Sequence, residues 1–301
     1  AIGIDAQRGV LVHAEADRLP GLVVDRFEDV VVIQSNTAGM DRAEADVVAA
    51  VDALLSPRAI VLRNDSPVRT LEGLELGVQV AKGELDGPIP LVENGVRFLA
   101  DLSGGQKTGW FFDQRDHRAA VARVARGGSV LDVFAYTGGF GVTAAVAGAR
   151  EVTMVDRSEA ALALAEQAAE INGVVERCRF VRAAAFTELE MLAASGARYD
   201  VVVIDPPAFV KSRKDLSAGS RGYVKLTRLA AKLVAPGGFL FTASCSHNVS
   251  PELFGELVAK GLETAGRSGR ILRSAGAGPD HPVHPFLPES AYLKGQLLQL
   301  D

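Results

Sequence analysis

Beyond residue 115 the chain alternates between short apolar runs and segments of helical periodicity. Val130-Leu131-Asp132-Val133-Phe134, Val152-Thr153-Met154-Val155, Arg179-Phe180-Val181, Val201-Val202-Val203-Ile204 and Phe239-Leu240-Phe241-Thr242 read as strands. A helix over 115–126 precedes the first of them, and apolar spacings of three and four predict helices over 140–148, 158–171, 186–195 and 221–234. Buried-looking strands separated by helices predict an α/β fold of the Rossmann-like kind, a mostly parallel sheet covered on both faces. Ligands of such sheets bind at the carboxyl ends of the strands, so chemistry is sought there.

The pattern upstream is different. A turn at Leu19-Pro20-Gly21 leads into strands Leu22-Val23-Val24 and Val30-Val31-Val32-Ile33, broken at Glu28-Asp29. Asp41 to Leu55 has helical spacing and stops before Pro57; Ala59-Ile60-Val61-Leu62 is a further strand. Gly73 to Gly87 reads as a hairpin, and Ile89 to Leu102 alternates around Asn94-Gly95, a two-residue turn signal. These elements predict a small α+β domain over 1–88, with an RNA-substrate or auxiliary role, and a second domain over 89–301 that begins with the hairpin. The 301 residues have room for two cores.

Composition narrows the class. Hydrophobic residues make up 48% and charged residues 23%, as in an ordinary globular protein. No apolar run reaches the roughly 18 residues of a membrane span, so no membrane partner is expected. Two cysteines are too few for a disulfide framework, and a reducing cytoplasm is the expectation. The start, Ala1-Ile2-Gly3-Ile4-Asp5, lacks a leader pattern and an initiator Met, which suggests a fragment or a lost N-terminal piece. Formal charge is −5, with −7 in residues 1–88 and +2 in the rest. Lys211, Arg213, Lys214, Arg221, Lys225 and Arg228 against Asp215 form a local basic stretch suited to a phosphate backbone, or simply to a solvated helix face.

Candidate chemistry sits at the strand ends. Phe134-Ala135-Tyr136-Thr137-Gly138-Gly139-Phe140-Gly141 is a glycine-rich turn whose amides could face a ligand, although its spacing is not that of a dinucleotide fingerprint. Val155-Asp156-Arg157-Ser158 places an acid where it could accept both hydroxyls of a ribose; Asp156 or Ser158 could equally cap a helix. Turn and acid together point to a nucleoside cofactor. Asp205-Pro206-Pro207-Ala208-Phe209 holds a carboxylate rigidly at a strand tip, with Phe209 able to stack on a base. Thr242-Ala243-Ser244-Cys245-Ser246 brings a cysteine to the next tip, while Cys178 enters its strand at the opposite end and reads as structural. Gln114 and Arg115 could hold a carboxylate at a helix start or form an exposed cap. The five histidines show no ligand spacing, so no metal is expected.

With these residues in view, the sequence resembles the RlmI-like family of 23S ribosomal RNA cytosine-5 methyltransferases across nearly its whole length. The resemblance is carried by Leu19-Pro20-Gly21-Leu22-Val23-Val24-Asp25-Arg26, Lys107-Thr108-Gly109, Asp113-Gln114-Arg115 and Phe134-Ala135-Tyr136-Thr137-Gly138-Gly139-Phe140. It continues in Asp205-Pro206-Pro207-Ala208-Phe209, Arg221-Gly222-Tyr223, Ser244-Cys245-Ser246, Asp280-His281-Pro282 and Tyr292-Leu293-Lys294-Gly295. It implies a class I methyltransferase domain with a seven-stranded sheet, S-adenosylmethionine (AdoMet) as cofactor, Cys245 as nucleophile and Asp205 against the cytosine.

On that reading Gln114, Arg115, Phe134, Tyr136, Thr137, Gly138, Gly139, Asp156, Arg157, Ser158, Ala184 and Asp205 surround AdoMet. Pro206, Pro207, Phe209, Lys211, Arg213, Arg221 and Lys225 face the substrate, 23S ribosomal RNA, free or partly assembled. Two departures are expected. The PUA RNA-binding domain with which related proteins usually begin has no counterpart in the chain. Ala184, in Val181-Arg182-Ala183-Ala184-Ala185-Phe186, stands near the place where the family usually has an acid for the adenine amino group. Alternatives remain open: a guanine or amino-nitrogen RNA methyltransferase, an NAD(P)-dependent oxidoreductase, or a catalytically silent RNA-binding module. The sequence leaves a homodimer open.

Overall fold

The computed structural model describes residues 8–301. The start read for a leader, Ala1–Asp5, lies outside them. The described chain divides into two compact units.

Of the described residues, unit 1 comprises 8–93, 99–114 and 278–290. Its five-stranded sheet joins β1 (Arg8–His13), β2 (Leu22–Phe27), β3 (Val30–Ser35), β4 (Ala59–Asn64) and β5 (Gly77–Lys82) in chain order. Only the β3–β4 pair is parallel. Helices α1 (Ala38–Arg42) and α2 (Glu44–Leu55) cover Leu22, Val24, Val31, Ile33, Ile60 and Leu62. The single helix expected over 41–55 is thus two, divided at Ala43, and Thr37 caps the first by accepting the Met40 N–H.

The hairpin expected over 73–87 is not there. Buried Arg69 donates to the Ser35 carbonyl, to Asp41 at 2.7 Å and to the Glu75 carbonyl at 3.0 Å. That side chain ties residues 67–76 to β3 and α1, so only 77–82 is left to extend, and it pairs with the open edge of β4. The two-residue turn at Asn94-Gly95 does form, with φ of +52° and +79°, between β6 (Ile89–Glu93) and β7 (Val96–Ala100).

Unit 2 comprises residues 94–98, 115–277 and 291–301. After α3 (Arg115–Ala125) come β8 (Ser129–Val133), α4 (Gly139–Val146), β9 (Glu151–Asp156), α5 (Glu159–Ile171), β10 (Cys178–Arg182), α6 (Ala185–Ala194) and β11 (Tyr199–Ile204). Then follow α7 (Leu216–Leu233), β12 (Val234–Ser244), α8 (Pro251–Thr264), β13 (Gly269–Ala275) and β14 (Lys294–Leu300). The seven-stranded sheet runs β10-β9-β8-β11-β12-β14-β13. Its first five strands are parallel, and β14 is antiparallel to both neighbours. The Rossmann-like α/β expectation holds. Strand order reverses between β8 and β11, which marks the crevice where ligands of such sheets bind.

Helix α7 starts five residues before the expected 221. The Asp215 carboxylate accepts from Ser212 N at 3.0 Å and Ser212 Oγ at 2.8 Å, a cap placed ahead of the periodic stretch. The core between sheet and helices holds Leu131, Val133, Val202, Ile204, Leu226, Leu240 and Phe254. Among the described residues no helix is long and apolar enough to cross a membrane.

Candidate active site

The loop that leaves β8 is bent by unusual backbone. Phe134 and Tyr136 have φ of +66° and +49°, costly for side chains of that size and tolerated where surrounding contacts over-determine the geometry. Those contacts are visible. Phe134 N and Ala135 N both donate to the Val155 carbonyl, at 3.0 and 3.1 Å, and Gly138 N donates to the Ala135 carbonyl at 2.8 Å. A Cβ on Gly138 would stand 2.9 Å from Ala165 Cβ and from Val142 Cγ2, with φ already at +78°. A Cβ on Gly139 would stand 2.6 Å from Nε of buried Arg118, whose guanidinium also lies 5.8 Å from the Phe140 ring. These two glycines are therefore explained by close packing within the unit.

Asp156 ends β9 and fastens two loops. Its Oδ2 accepts Tyr136 N and its Oδ1 accepts Ser158 N, both at 2.9 Å. Each carboxylate oxygen has a second lone pair, so the half-buried group keeps capacity for ribose hydroxyls. Ser158 is a helix cap here: its hydroxyl accepts from Ala161 N at 3.2 Å at the start of α5. Arg157 is exposed, and Ala184 is exposed at the start of α6 with only a methyl to offer. Thr137 Oγ1 is buried and has no hydrogen-bond partner among the described residues. A buried hydroxyl left unmet costs roughly 1–3 kcal/mol, which a polar ligand beside this loop would relieve. Gln114 ends unit 1, buried, and Arg115 opens unit 2 as the first residue of α3.

Sequence reading passed over Asp132, which is fully buried on β8 and accepts Gly141 N at 2.8 Å. Burial, and then the neighbouring Asp156 charge, push its carboxyl up to about 7. A carboxyl raised in the folded state is protonated there while the unfolded chain is already ionised. Its stabilising contribution is thus complete at low pH and lost as pH climbs through about 7. Replacing Asp132 by Asn should flatten this dependence. Between pH 4.5 and 7.5 the parent should lose roughly 3 kcal/mol more unfolding free energy than the variant, at 1.36 kcal/mol per pKa unit. Urea titrations of both proteins at the two pH values check it, and equal losses would contradict it.

The next tips carry Asp205 and Cys245. Asp205 follows β11, is half-buried, and its N–H reaches toward the Val133 carbonyl at 3.5 Å. Cys245 follows β12, which pairs with β11 in the register Ile204 to Thr242. The serines beside it are locked. Ser244 Oγ donates to Tyr223 Oη at 2.8 Å, Tyr223 Oη and Ser246 Oγ are 2.9 Å apart, and Ser246 Oγ accepts Val210 N at 3.1 Å. All three hydroxyls are buried, so this network fixes the cysteine loop to α7 and to the loop after Asp205. Cys245 between them is half-buried and stands outside the apolar core. Cys178 lies at the other end of the sheet, where burial pushes its thiol up to about 11.

Of the substrate-facing set, Pro206 is buried and Pro207 exposed. The Phe209 ring is 4.8 Å from Tyr223 and 6.1 Å from Phe186, with Gly222 beneath it, so part of its surface is taken by packing. Lys225 pairs with Glu190 at 2.8 Å and lies 5.2 Å from the Phe186 ring. Lys211, Arg213 and Arg221 are exposed around the start of α7.

Unit 1 gathers several other stretches of the resemblance in one buried polar cluster. Thr108 donates to Asp25, Lys107 meets Asp113 at 3.2 Å, His281 meets Asp280 at 3.1 Å, and the His13 and His281 rings are 4.9 Å apart. Burial raises Asp25 above the usual carboxylate range and lowers His13 to about 4.

Comparison with known proteins gives the family. The family described as S-adenosylmethionine-dependent methyltransferase matches residues 77–278. Ribosomal RNA large subunit methyltransferase I of Klebsiella pneumoniae is 41% identical over 97% of this chain and 73% of its own length. The protein of the same name from Aeromonas salmonicida is 40% identical over 96% of this chain and 74% of its own. Among solved structures, one described as a methyltransferase complexed with SAH superposes with a TM-score of 0.86 at 24% identity, covering 97% of this chain and 75% of that one. A SAM-dependent methyltransferase structure from Streptococcus mutans gives 0.85 at 24% identity, with the same coverages. At that identity these two support the fold alone. The chain belongs to the S-adenosylmethionine-dependent methyltransferases, in the ribosomal RNA large subunit methyltransferase I family.

Proposed function

We propose that the protein methylates carbon 5 of a cytosine in 23S ribosomal RNA through a transient bond to Cys245. The observation that carries this reading is the adjacency of two strand tips, one bearing Asp205 and one bearing Cys245, beside the loop anchored by Asp156. Asp156, the strained Phe134–Gly138 loop and the Thr137 hydroxyl would hold AdoMet. When bound, AdoMet supplies an electrophilic methyl group.

The target cytosine, flipped out or already unstacked, enters beside Asp205. The Cys245 thiolate bonds to carbon 6, and the displaced electron pair makes carbon 5 nucleophilic toward the methyl group. Asp205 stabilises the ring nitrogen or amino group as charge develops. Carbon 5 then loses its proton to a base, the carbon–sulfur bond breaks, and the thiolate is released with the ring double bond restored. Residues 1–88 serve as an auxiliary substrate-binding part, and Lys211, Arg213 and Arg221 meet phosphates.

Nucleoside mass spectrometry of ribosomal RNA from cells with and without the protein tests the assignment. A 5-methylcytosine present only with the protein is expected. A methylated guanine or exocyclic amine in its place would overturn the cytosine reading and leave the methyltransferase one standing.

A further inference from the structure

We propose that Lys294 is a positioning residue for Cys245: from the adjacent antiparallel strand its ammonium fixes the Ser244-Cys245-Ser246 tip and holds the thiol in its anionic, nucleophilic form. The pairing of Ser244 with Lys294 in the β12–β14 register brings the two together. Lys294 Nζ donates to the Ser246 carbonyl and to the Tyr292 carbonyl, each at 2.7 Å, and the side chain is 6% exposed. Two of its three N–H donors are thus used on neutral carbonyls.

A buried ammonium is expensive unless an opposite charge compensates it. Among the described residues no carboxylate forms an ion pair with Lys294, and the group of opposite sign that acts on it is Cys245. Burial lowers Lys294 to about 8, so it is still charged at neutral pH; the Cys245 interaction works against that lowering. By reciprocity the same ammonium favours the thiolate, while the thiol proton leaves to bulk water. The other titratable groups at this corner are Asp205 on the neighbouring β11 tip, whose negative charge works against the thiolate and which the ammonium must outweigh, Tyr223 of α7, His247 and Tyr292 with rings 5.4 Å apart, and His117 of α3 against Gly295. Tyr223 is raised by burial and stays neutral near pH 7, so it adds no competing charge.

The proposal rests on Cys245 as the nucleophile, and its test reads the thiol directly, without RNA. In the full chain carrying Cys178→Ser, the rate of alkylation of Cys245 by iodoacetamide is followed against pH. The parent midpoint should fall below about 8.5, the ordinary thiol value. Lys294→Gln, which can still donate to the Ser246 carbonyl, should raise the midpoint by about one pH unit, as should Lys294→Met; Lys294→Arg should stay near the parent. A Gln variant that binds AdoMet like the parent and keeps its midpoint overturns the proposal. So does a parent midpoint at or above the ordinary value, which decides the matter even if the variants fail to fold. Methylation surviving in Cys245→Ser would remove the covalent reading while leaving the alkylation result intact.

Discussion

Cys245→Ser is expected to bind AdoMet like the parent and to lose methyl transfer to RNA by about 10³-fold or more. The hydroxyl occupies nearly the same volume, so the Tyr223–Ser244–Ser246 network around it should persist. Its oxygen, however, is not an appreciable anion near neutral pH, and without an anion carbon 6 is not attacked. A tritiated-methyl assay on ribosomal RNA gives the rate, and calorimetry gives AdoMet affinity. RNA bearing 5-fluorocytosine gives an independent readout. Fluorine cannot leave as the carbon 5 proton does, so the parent should stay covalently bound to that RNA while the Ser variant should not. Full turnover by Cys245→Ser would exclude the covalent route.

Asp156→Ala should weaken AdoMet binding by about 100-fold. The carboxylate holds Tyr136 N and Ser158 N, and its remaining lone pairs are the acceptors proposed for the ribose. Hydrogen bonds to a charged group contribute roughly 1.5–3 kcal/mol each, and 1.4 kcal/mol is tenfold in affinity. The loss compounds, because Phe134 and Tyr136 sit in backbone conformations that only their anchoring contacts sustain. Asp156→Asn, which keeps an acceptor oxygen but no charge, should fall between parent and Ala variant. Calorimetric titration with AdoMet measures all three, and an Ala variant within threefold of the parent would disprove the ribose role.

The sequence by itself determined the parallel strands of unit 2 and the acids and thiol at their tips. Period and burial are local properties, and an apolar run ending in a polar turn marks a strand end whatever it packs against. Asp156, Asp205 and Cys245 were legible for that reason. The closing of the sheet was not expected from the sequence: α8 does carry a signal, in the Ser250 cap, Pro251 and the buried Phe254, Leu257, Val258 and Leu262, whereas β13 is mostly exposed and has no buried face to announce it. The same limit applied to Gly73–Gly87, where the partner, β4, lay outside the segment and an arginine decided how much of it could extend.

Tertiary structure alone decided what surrounds the reactive groups. Lys294 reaches Ser246 across 48 positions of sequence, and Tyr223 reaches Ser244 across 21. Such meetings depend on strand register and helix packing summed over the whole unit, which no window of the chain records. Asp132 looked like any polar residue in a strand until burial beside Asp156 gave its carboxyl a different ionisation.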